Sequence, residues 1–187
     1  TLKPTTGDQQ EAGVKYVSPD ESLGISAAYF DITQENRVSD GNTPGGVEQT
    51  GAVIDGWELQ VNKRWQRFET QLAYTDLNAR DDASGNRLPY VAERQASWWN
   101  QLYIANNWRV GAGVRYVGDN VGSGGGPVVP SVTLYDAMIG YTWQNWDFTV
   151  DAKNLADDEY ITWCRSEGAD CGYGERRTVN ANAKYRF

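Results

Sequence analysis

Two cysteines are the residues of this 187-residue chain best suited to covalent or metal chemistry. Cys164 and Cys171 are separated by six residues, and the chain has no histidine. Two thiolates alone cannot form a four-cysteine zinc or iron–sulfur site. Without histidine there can be no His-ligated metal, no histidine base and no histidine-containing catalytic triad. A disulfide or two free thiols remain as alternatives.

Five acidic residues near the cysteines have the chemistry to bind a hard cation or to act as acids and bases. Their spacing does not match the calcium loop, in which carboxylates recur at alternate positions before a glycine. We therefore predict that they are solvated loop charges. They are Asp157, Asp158, Glu159, Glu167 and Asp170.

Composition narrows the class of protein. The chain has 17 Lys and Arg against 25 Asp and Glu, a formal net charge of −8, which argues against a nucleic-acid partner. Eight Trp, 11 Tyr and 20 Gly make it too aromatic and too glycine-rich for a helical bundle, and too aromatic for a disordered segment. No stretch approaches the roughly 20 apolar residues of a membrane helix.

Apolar and polar residues alternate along most of the chain, which predicts β-strands. The last segment is the clearest, because its odd positions from Val179 to Phe187 are apolar and its even positions are polar or charged. We predict nine strands and no helix. The strands cover residues 8–17, 23–38, 57–65, 68–80, 91–104, 108–118, 132–143, 146–153 and 178–187.

The connections between these strands alternate strictly between short and long. An antiparallel meander then has its short turns on one side and its long loops on the other, as in bacterial outer-membrane barrels. The sequence therefore predicts an all-β fold, a transmembrane antiparallel β-barrel. The short connections are 18–22, 66–67, 105–107 and 144–145, and the long ones are 39–51, 81–90, 119–131 and 163–174.

Aromatic residues gather at the short turns, which predicts a girdle at one membrane–water boundary. The alternative is a soluble β-barrel whose aromatic residues plug its ends, but such a barrel has no reason to segregate loop length and aromatics to the same end. The girdle residues are Trp65, Phe68, Trp108, Trp143 and Trp146, with Tyr185 and Phe187 on the same side.

Strand parity indicates a larger barrel. The first predicted strand begins on the long-loop side and the last ends on the short-turn side, whereas an antiparallel barrel closes cleanly with an even number of strands. Open strand edges in lipid are very costly. We therefore expect residues 1–187 to be the C-terminal part of a barrel whose upstream strands are not in this sequence, with Thr1–Gly7 the tail of another long loop.

Several motifs resemble those of a known family. Residues 154–160 (NLADDEY) resemble the NLFDxxY motif near the end of TonB-dependent outer-membrane receptors, except that Ala156 stands where the family usually has an aromatic residue. Residues 3–15 (KPTTGDQQEAGVK), 171–177 (CGYGERR) and 185–187 (YRF) are similar to the ferric-siderophore branch, most closely the ferrichrome-type receptors.

This resemblance implies about nine C-terminal strands of a 22-stranded barrel that encloses an N-terminal plug domain, which lies outside this chain together with the upstream strands. It implies a multi-pass protein of the outer membrane of a Gram-negative bacterium, in contact with lipid and lipopolysaccharide. Such receptors are not enzymes and hold no cofactor. They import a ferric siderophore, with energy from the TonB–ExbB–ExbD system, and iron enters only as cargo.

The resemblance also suggests roles for individual residues. In this family the terminal aromatics, here Tyr185 and Phe187, belong to the signal that the outer-membrane assembly machinery recognises. Family members place ligand-contacting aromatics in the loop that here holds Trp163, Arg165 and Tyr173, and these three are the predicted ligand-binding residues. Arg165 stands where ferrichrome-type members carry an aromatic residue, which predicts a different ligand.

Location decides between the alternatives for the cysteines. The loop faces outward, and disulfides persist outside the cell, so a Cys164–Cys171 disulfide is favoured over two free thiols. Such a short closed loop contributes on the order of 2–3 kcal/mol through chain entropy. Predicted cations on the polar face would pair with acidic groups of the lumen or contact an anionic ligand. They are Arg109, Arg115, Lys153, Lys184 and Arg186.

Two other functions are weighed against transport. An outer-membrane enzyme of the small-barrel type would generally need a histidine base, which the chain lacks. A passive porin would need rings of charge at a constriction, and no segment marks one.

Overall fold

The computed structural model describes residues 2–40, 47–105, 107–123, 126–165 and 170–187. Within these residues it contains strands, turns and bends but no helix, so none that could cross a membrane. Nine strands form one antiparallel sheet in chain order, which confirms the predicted meander. They are β1 (Thr6–Val17), β2 (Leu23–Asp40), β3 (Val47–Arg64), β4 (Phe68–Asp81), β5 (Arg94–Ile104), β6 (Trp108–Val117), β9 (Val132–Trp143), β10 (Trp146–Lys153) and β13 (Thr178–Tyr185).

Two of the predicted long loops are not irregular. Residues 119–131 contain a hairpin of β7 (Asn120–Val121) and β8 (Val128–Val129). Residues 163–174 overlap a second hairpin, formed by β11 (Ile161–Arg165) and β12 (Asp170–Tyr173). The prediction of bare loops was wrong here because these strands are short, and their pairing leaves only a weak alternation in the sequence.

The predicted loop 39–51 is also mostly strand. β2 and β3 remain paired from Leu23↔Lys63 to Asp40↔Val47, so only residues 41–46 lie between them. The register shifts once, between Gln34 and Arg37, where Asn36 has a positive φ of 57°. A bulge of this kind allows a long ribbon to continue past one unpaired residue, and it hides the period-two pattern on which the prediction relied.

The short connections are confirmed at one end of the sheet, with Asn106 of the 105–107 connection outside the described residues. Gln144 has a φ of 52°, which suits the two-residue turn between β9 and β10. Backbone bonds tie neighbouring turns together, such as the 2.9 Å bond from Thr142 N to the carbonyl oxygen of Asn107. At the opposite end a small cluster of Ala52, Ala79 and Leu88 is buried where the 81–93 connection folds back on β4.

The register aligns apolar side chains on one face of the sheet. Val110, Ile139, Val150 and Ala181 are direct neighbours across four strands, and the same alternation runs through the other five. Large apolar side chains stay exposed on this face, for example Trp57 and Ile139. An apolar sheet face without a covering layer is typical of a wall that contacts lipid.

Two belts of aromatic rings border this apolar face. The predicted girdle at the short turns is present, with ring centroids of Trp108 and Tyr141 4.5 Å apart and those of Trp146 and Tyr185 5.0 Å apart. A second belt, absent from the sequence analysis, lies about eight residues further along the strands, or roughly 25 Å at the usual rise per residue. Its members are Tyr29, Trp57, Tyr74, Tyr116 and Tyr135.

The other face is polar, and ion pairs reinforce it. Arg115 on β6 pairs with Asp136 on β9, and Tyr103 donates a 3.2 Å hydrogen bond to Glu69 on the adjacent strand. β1 and β13 are the two edges of the sheet, and in the described part of the chain each pairs on one side only.

Candidate binding surface at the long-loop end

The predicted disulfide is confirmed. Cys164 and Cys171 are directly opposite each other on β11 and β12, with a sulfur–sulfur distance of 2.02 Å and Cα atoms 4.1 Å apart. Cys164 is only 2% exposed. The cross-link therefore lies beneath the hairpin and not at its outer surface.

The buried side of this hairpin rests on the β7–β8 hairpin. The side-chain amide nitrogen of Asn120 donates a 3.1 Å hydrogen bond to the carbonyl oxygen of Thr162. A Cβ at Gly122 would lie 2.6 Å from the carbonyl oxygen of Cys164, so only glycine permits this approach. Two connections that are distant in the sequence are thereby held as one unit.

Trp163 and Arg165 occupy the opposite, outer side of the disulfide hairpin. The guanidinium carbon of Arg165 is 5.9 Å from the ring centroid of Trp163, a cation–π distance. Gly172 faces Trp163 across the hairpin, and the indole lies where a side chain at Gly172 would stand. The guanidinium of Arg165 also lies 3.7 Å from the carboxylate of Asp170, and both side chains of this ion pair are exposed.

Tyr90 joins this pair from a third connection, and the sequence analysis missed it. Its ring is 6.2 Å from that of Trp163, nearly perpendicular at 85°. Its backbone N–H bonds to the carbonyl oxygen of Val121 at 2.9 Å, and its hydroxyl lies 2.5 Å from that of Ser123. No local pattern marks Tyr90, since its neighbours come together only through the packing of loops.

Tyr173, the third predicted ligand-binding residue, is placed differently. Alternation along β12 sets it on the same side as Cys171 and opposite to Gly172. Its side chain is 67% exposed. The structure therefore brings Trp163 and Arg165 together but does not bring Tyr173 to them.

The NLADDEY segment anchors the base of the hairpin. Asn154, with a φ of 51°, is 2% exposed, and its side-chain amide nitrogen donates to the carbonyl oxygens of Asp158 and Glu175 at 2.9 and 3.0 Å. Its side-chain oxygen accepts from the N–H of Asp158, and its own N–H donates to Asp136. The motif is thus a structural clamp between β10 and the chain that leads to β13.

Three of the five predicted loop acids form ion pairs with arginines while they stay accessible to solvent. Arg176 binds both oxygens of Asp157 at 3.1 and 3.0 Å and reaches Glu159 at 2.7 Å, and Asp170 faces Arg165. The Arg176 guanidinium, with the backbone N–H of Arg177, lowers the pKa of Asp157 to about 2. Glu167 lies outside the described residues. Within the described part, no group of three metal-ligating side chains occurs.

The predicted polar-face cations fall into two groups. Acids of the same sheet engage Arg109 and Arg115. Arg109 bonds to both oxygens of Asp147 on β10, two strands away, and Arg115 to both oxygens of Asp136 on the adjacent β9. Arg109 and Arg115 therefore pair with acidic groups of the polar face, which is one of the two predicted roles. Lys153, Lys184 and Arg186 are exposed near the β13 edge.

Comparison with known proteins agrees with this architecture. Residues 1–155 match the family model described as TonB dependent receptor-like, beta-barrel. The chain belongs to this family of transport receptors, which confirms the resemblance found in the sequence.

Individual relatives match along almost the whole chain. The catecholate siderophore receptor Fiu of Escherichia coli K12 is 32% identical over 100% of the chain. The ferrioxamine receptor of Yersinia enterocolitica is 30% identical over 100% of it, and the ferrichrome outer membrane transporter/phage receptor of Escherichia coli K12 is 28% identical over 98%. The chain spans only 26 to 28% of the length of these relatives.

Solved structures show the same fold. The closed form of the ferric-catecholate import receptor Fiu from Escherichia coli K12 superposes with a TM-score of 0.81 at 27% identity, over 100% of this chain and 28% of that one. The ferric yersiniabactin uptake receptor FyuA of Yersinia pestis, at 18% identity, reaches 0.84 over 98% of this chain and 30% of that one.

Proposed function

We propose that this chain forms part of the barrel of a receptor in the outer membrane of a Gram-negative bacterium, which binds a ferric siderophore and imports it. The apolar face with its two aromatic belts contacts lipid and, in the outer leaflet, lipopolysaccharide. The polar face lines the lumen. The short turns lie in the periplasm and the long connections lie outside the cell.

One observation carries this proposal: the relatives that match the chain over nearly its full length are named as siderophore receptors or transporters. Their names include a catecholate, a ferrioxamine and a ferrichrome receptor, so the cargo class is a ferric siderophore. Iron enters as part of that cargo, and the proposal requires no resident cofactor and no catalytic residue.

The proposal includes further strands and a plug domain. The edges β1 and β13 carry backbone groups that need partners in lipid, where an unsatisfied group costs several kcal/mol. Additional strands of the same receptor would supply those partners and close the barrel around the plug. Through the plug, the TonB–ExbB–ExbD system would deliver the energy for import.

The siderophore binds at the long-loop end of the sheet. Trp163 and Arg165 present an aromatic ring and a cation at the outer side of the disulfide hairpin, and Tyr173 stands exposed at its other side. A cross-link between directly opposed strands limits how far these groups can move before the ligand arrives, which lowers the entropic cost of binding. The disulfide thus acts on recognition by preorganisation.

Equilibrium binding to the purified full-length receptor tests this role. Quenching of intrinsic fluorescence by ferric siderophores should show weaker binding for the Cys164→Ser/Cys171→Ser double variant, for Trp163→Ala and for Tyr173→Ala. Trp143→Ala, at the other end of the barrel, is the matched control and should bind like the parent. Surface abundance is measured in parallel. Parent-like binding by all three loop variants would remove this hairpin from the site.

A further inference from the structure

Tyr90 and Trp163 form an aromatic corner at the long-loop end, and its role in binding rests on the proposed function. The two rings meet nearly at right angles, and the Arg165 guanidinium stands beside the Trp163 ring. Two aromatic surfaces and one cation thus converge from two connections that are far apart in the sequence. Such a corner suits a flat, negatively charged aromatic group, which gains ring contacts and charge attraction together.

Tyr90 is held in this corner against its backbone preference. Its φ of 67° lies in the left-handed region, which bulky side chains rarely adopt. The bond from its N–H to Val121 fixes the backbone, and Ser123 fixes the hydroxyl. Two residues earlier, buried Leu88 anchors the connection on Ala79. Tyr90 nevertheless keeps 43% of its surface exposed, so part of it is open to a ligand.

Arg165 keeps its charge available to a ligand. Its one described ionic partner, Asp170, is 3.7 Å away, and both side chains are more than half exposed. Exposed pairs of this kind contribute little, so an incoming anion competes with Asp170 at small cost.

Apart from Asp170, two acids of the neighbouring connections are already paired with arginines. Asp119 is bonded to Arg87 at 2.8 Å, and Glu93 lies between Arg80 and Arg87. The charges of Asp119 and Glu93 are therefore balanced by Arg80 and Arg87.

We propose that Tyr90, Trp163 and Arg165 form a subsite that selects ferric chelates whose iron is held by catecholate groups over uncharged hydroxamate chelates. Catecholates are aromatic and give the ferric complex a strong negative charge, so they use both the rings and the cation. Hydroxamates lack the aromatic ring and give a neutral ferric complex, so they use neither fully. Arg165 supplies the discrimination by charge, and Tyr90 with Trp163 supplies the ring contacts.

The test measures binding of two probes to the purified full-length receptor. The probes are the ferric complex of 2,3-dihydroxybenzoate, a catecholate, and ferrichrome, a hydroxamate. The parent should bind the catecholate complex more tightly. Arg165→Gln should weaken that binding roughly five- to tenfold, the loss expected for one cationic contact, and change ferrichrome binding by less than about twofold. Arg165→Lys should retain most of the catecholate affinity.

Tyr90 is tested by a matched pair of variants. Tyr90→Phe keeps the ring and should retain the preference, whereas Tyr90→Gly suits the positive φ but removes the ring, and should reduce it about fivefold. A parent that prefers ferrichrome, or an Arg165→Gln variant that weakens both probes equally, would overturn the selectivity and leave the proposed function intact. A parent that binds neither probe would likewise overturn the subsite, whereas the proposed function fails only if ferrioxamine complexes are not bound either.

Discussion

Arg109 on β6 reaches across β9 to Asp147 on β10 and bonds to both carboxylate oxygens, at 2.9 and 2.6 Å. The side chain passes directly over Gly140, where a Cβ would lie 2.6 Å from the guanidinium carbon. An ion pair between strands that are not neighbours in the sheet thus depends on a glycine in the strand between them.

Gly140→Ala should displace Arg109 and break this pair. We expect the receptor to lose about 1–3 kcal/mol of unfolding free energy, the usual value of a hydrogen-bonded charged pair. Thermal unfolding in detergent micelles measures the loss. Gly24→Ala is the control, because a Cβ at Gly24 meets no atom within 4 Å. Equal stability of the two variants would show that Arg109 adapts without cost.

The proposed orientation of the barrel predicts which positions reagents can reach in intact cells. A cysteine at Ser84, in an exposed long connection, should react with membrane-impermeant thiol reagents, and one at Asn145, in an exposed short turn, should not. The native cysteines form a disulfide and give no background. Labelling in the opposite sense would invert the topology. Two further positions suited to this experiment, Asn106 and Gly124, lie outside the described residues.

Phe187 offers a test of the proposed assembly signal. Its side chain is fully exposed and its ring contacts that of Tyr185, with centroids 5.1 Å apart. A charge at this interfacial position carries a direct lipid penalty of only about 0–1 kcal/mol. Phe187→Asp should nevertheless sharply lower receptor abundance in the outer membrane, as quantified by immunoblotting of membrane fractions. Unchanged abundance would remove Phe187 from the signal.

The bond between Asp157 and Arg176 predicts a pH dependence at the base of the hairpin. The pKa of Asp157 is lowered to about 2, so the pair stabilises the folded state above the ordinary carboxyl pKa of about 4. This stabilisation is lost as the pH falls from there through about 2. Asp157→Asn should therefore lower the urea midpoint by a constant amount between pH 5 and 7, and the difference should shrink below about pH 4. A difference independent of pH down to 2 would contradict the pairing.

The sheet could be predicted from the sequence because each strand carries its own alternation. Val179 and Ala181 are apolar neighbours of Ala152 and Val150 whether or not the rest of the barrel is known. The second aromatic belt could have been predicted by the same argument, since Trp57 and Tyr74 lie in predicted strands. They are diagonal neighbours on β3 and β4, because Trp57 pairs with Asp76 and Tyr74 pairs with Leu59.

The binding corner could not be predicted in the same way. Tyr90 meets Trp163 only because the 81–93 connection hydrogen-bonds to β7, while β11 packs beside Gly122. Contacts between loops depend on shape and on backbone bonds that leave no periodic pattern. Trp163 and Arg165 are predicted because aromatic and cationic side chains in an outward-facing loop suit a polar chelate, and the family resemblance supports the same loop. Tyr173, predicted with them, faces the other side of the hairpin.

Uptake of iron by living cells tests the central claim most directly. The full-length receptor, expressed in a strain that lacks its own siderophore receptors, should allow accumulation of radioactive iron supplied as a ferric siderophore. This accumulation should disappear when TonB is deleted and should fall for Trp163→Ala at equal surface abundance. Iron uptake that is the same with and without TonB would indicate a passive pore and contradict the account, as would the absence of uptake for catecholate, ferrioxamine and ferrichrome complexes alike.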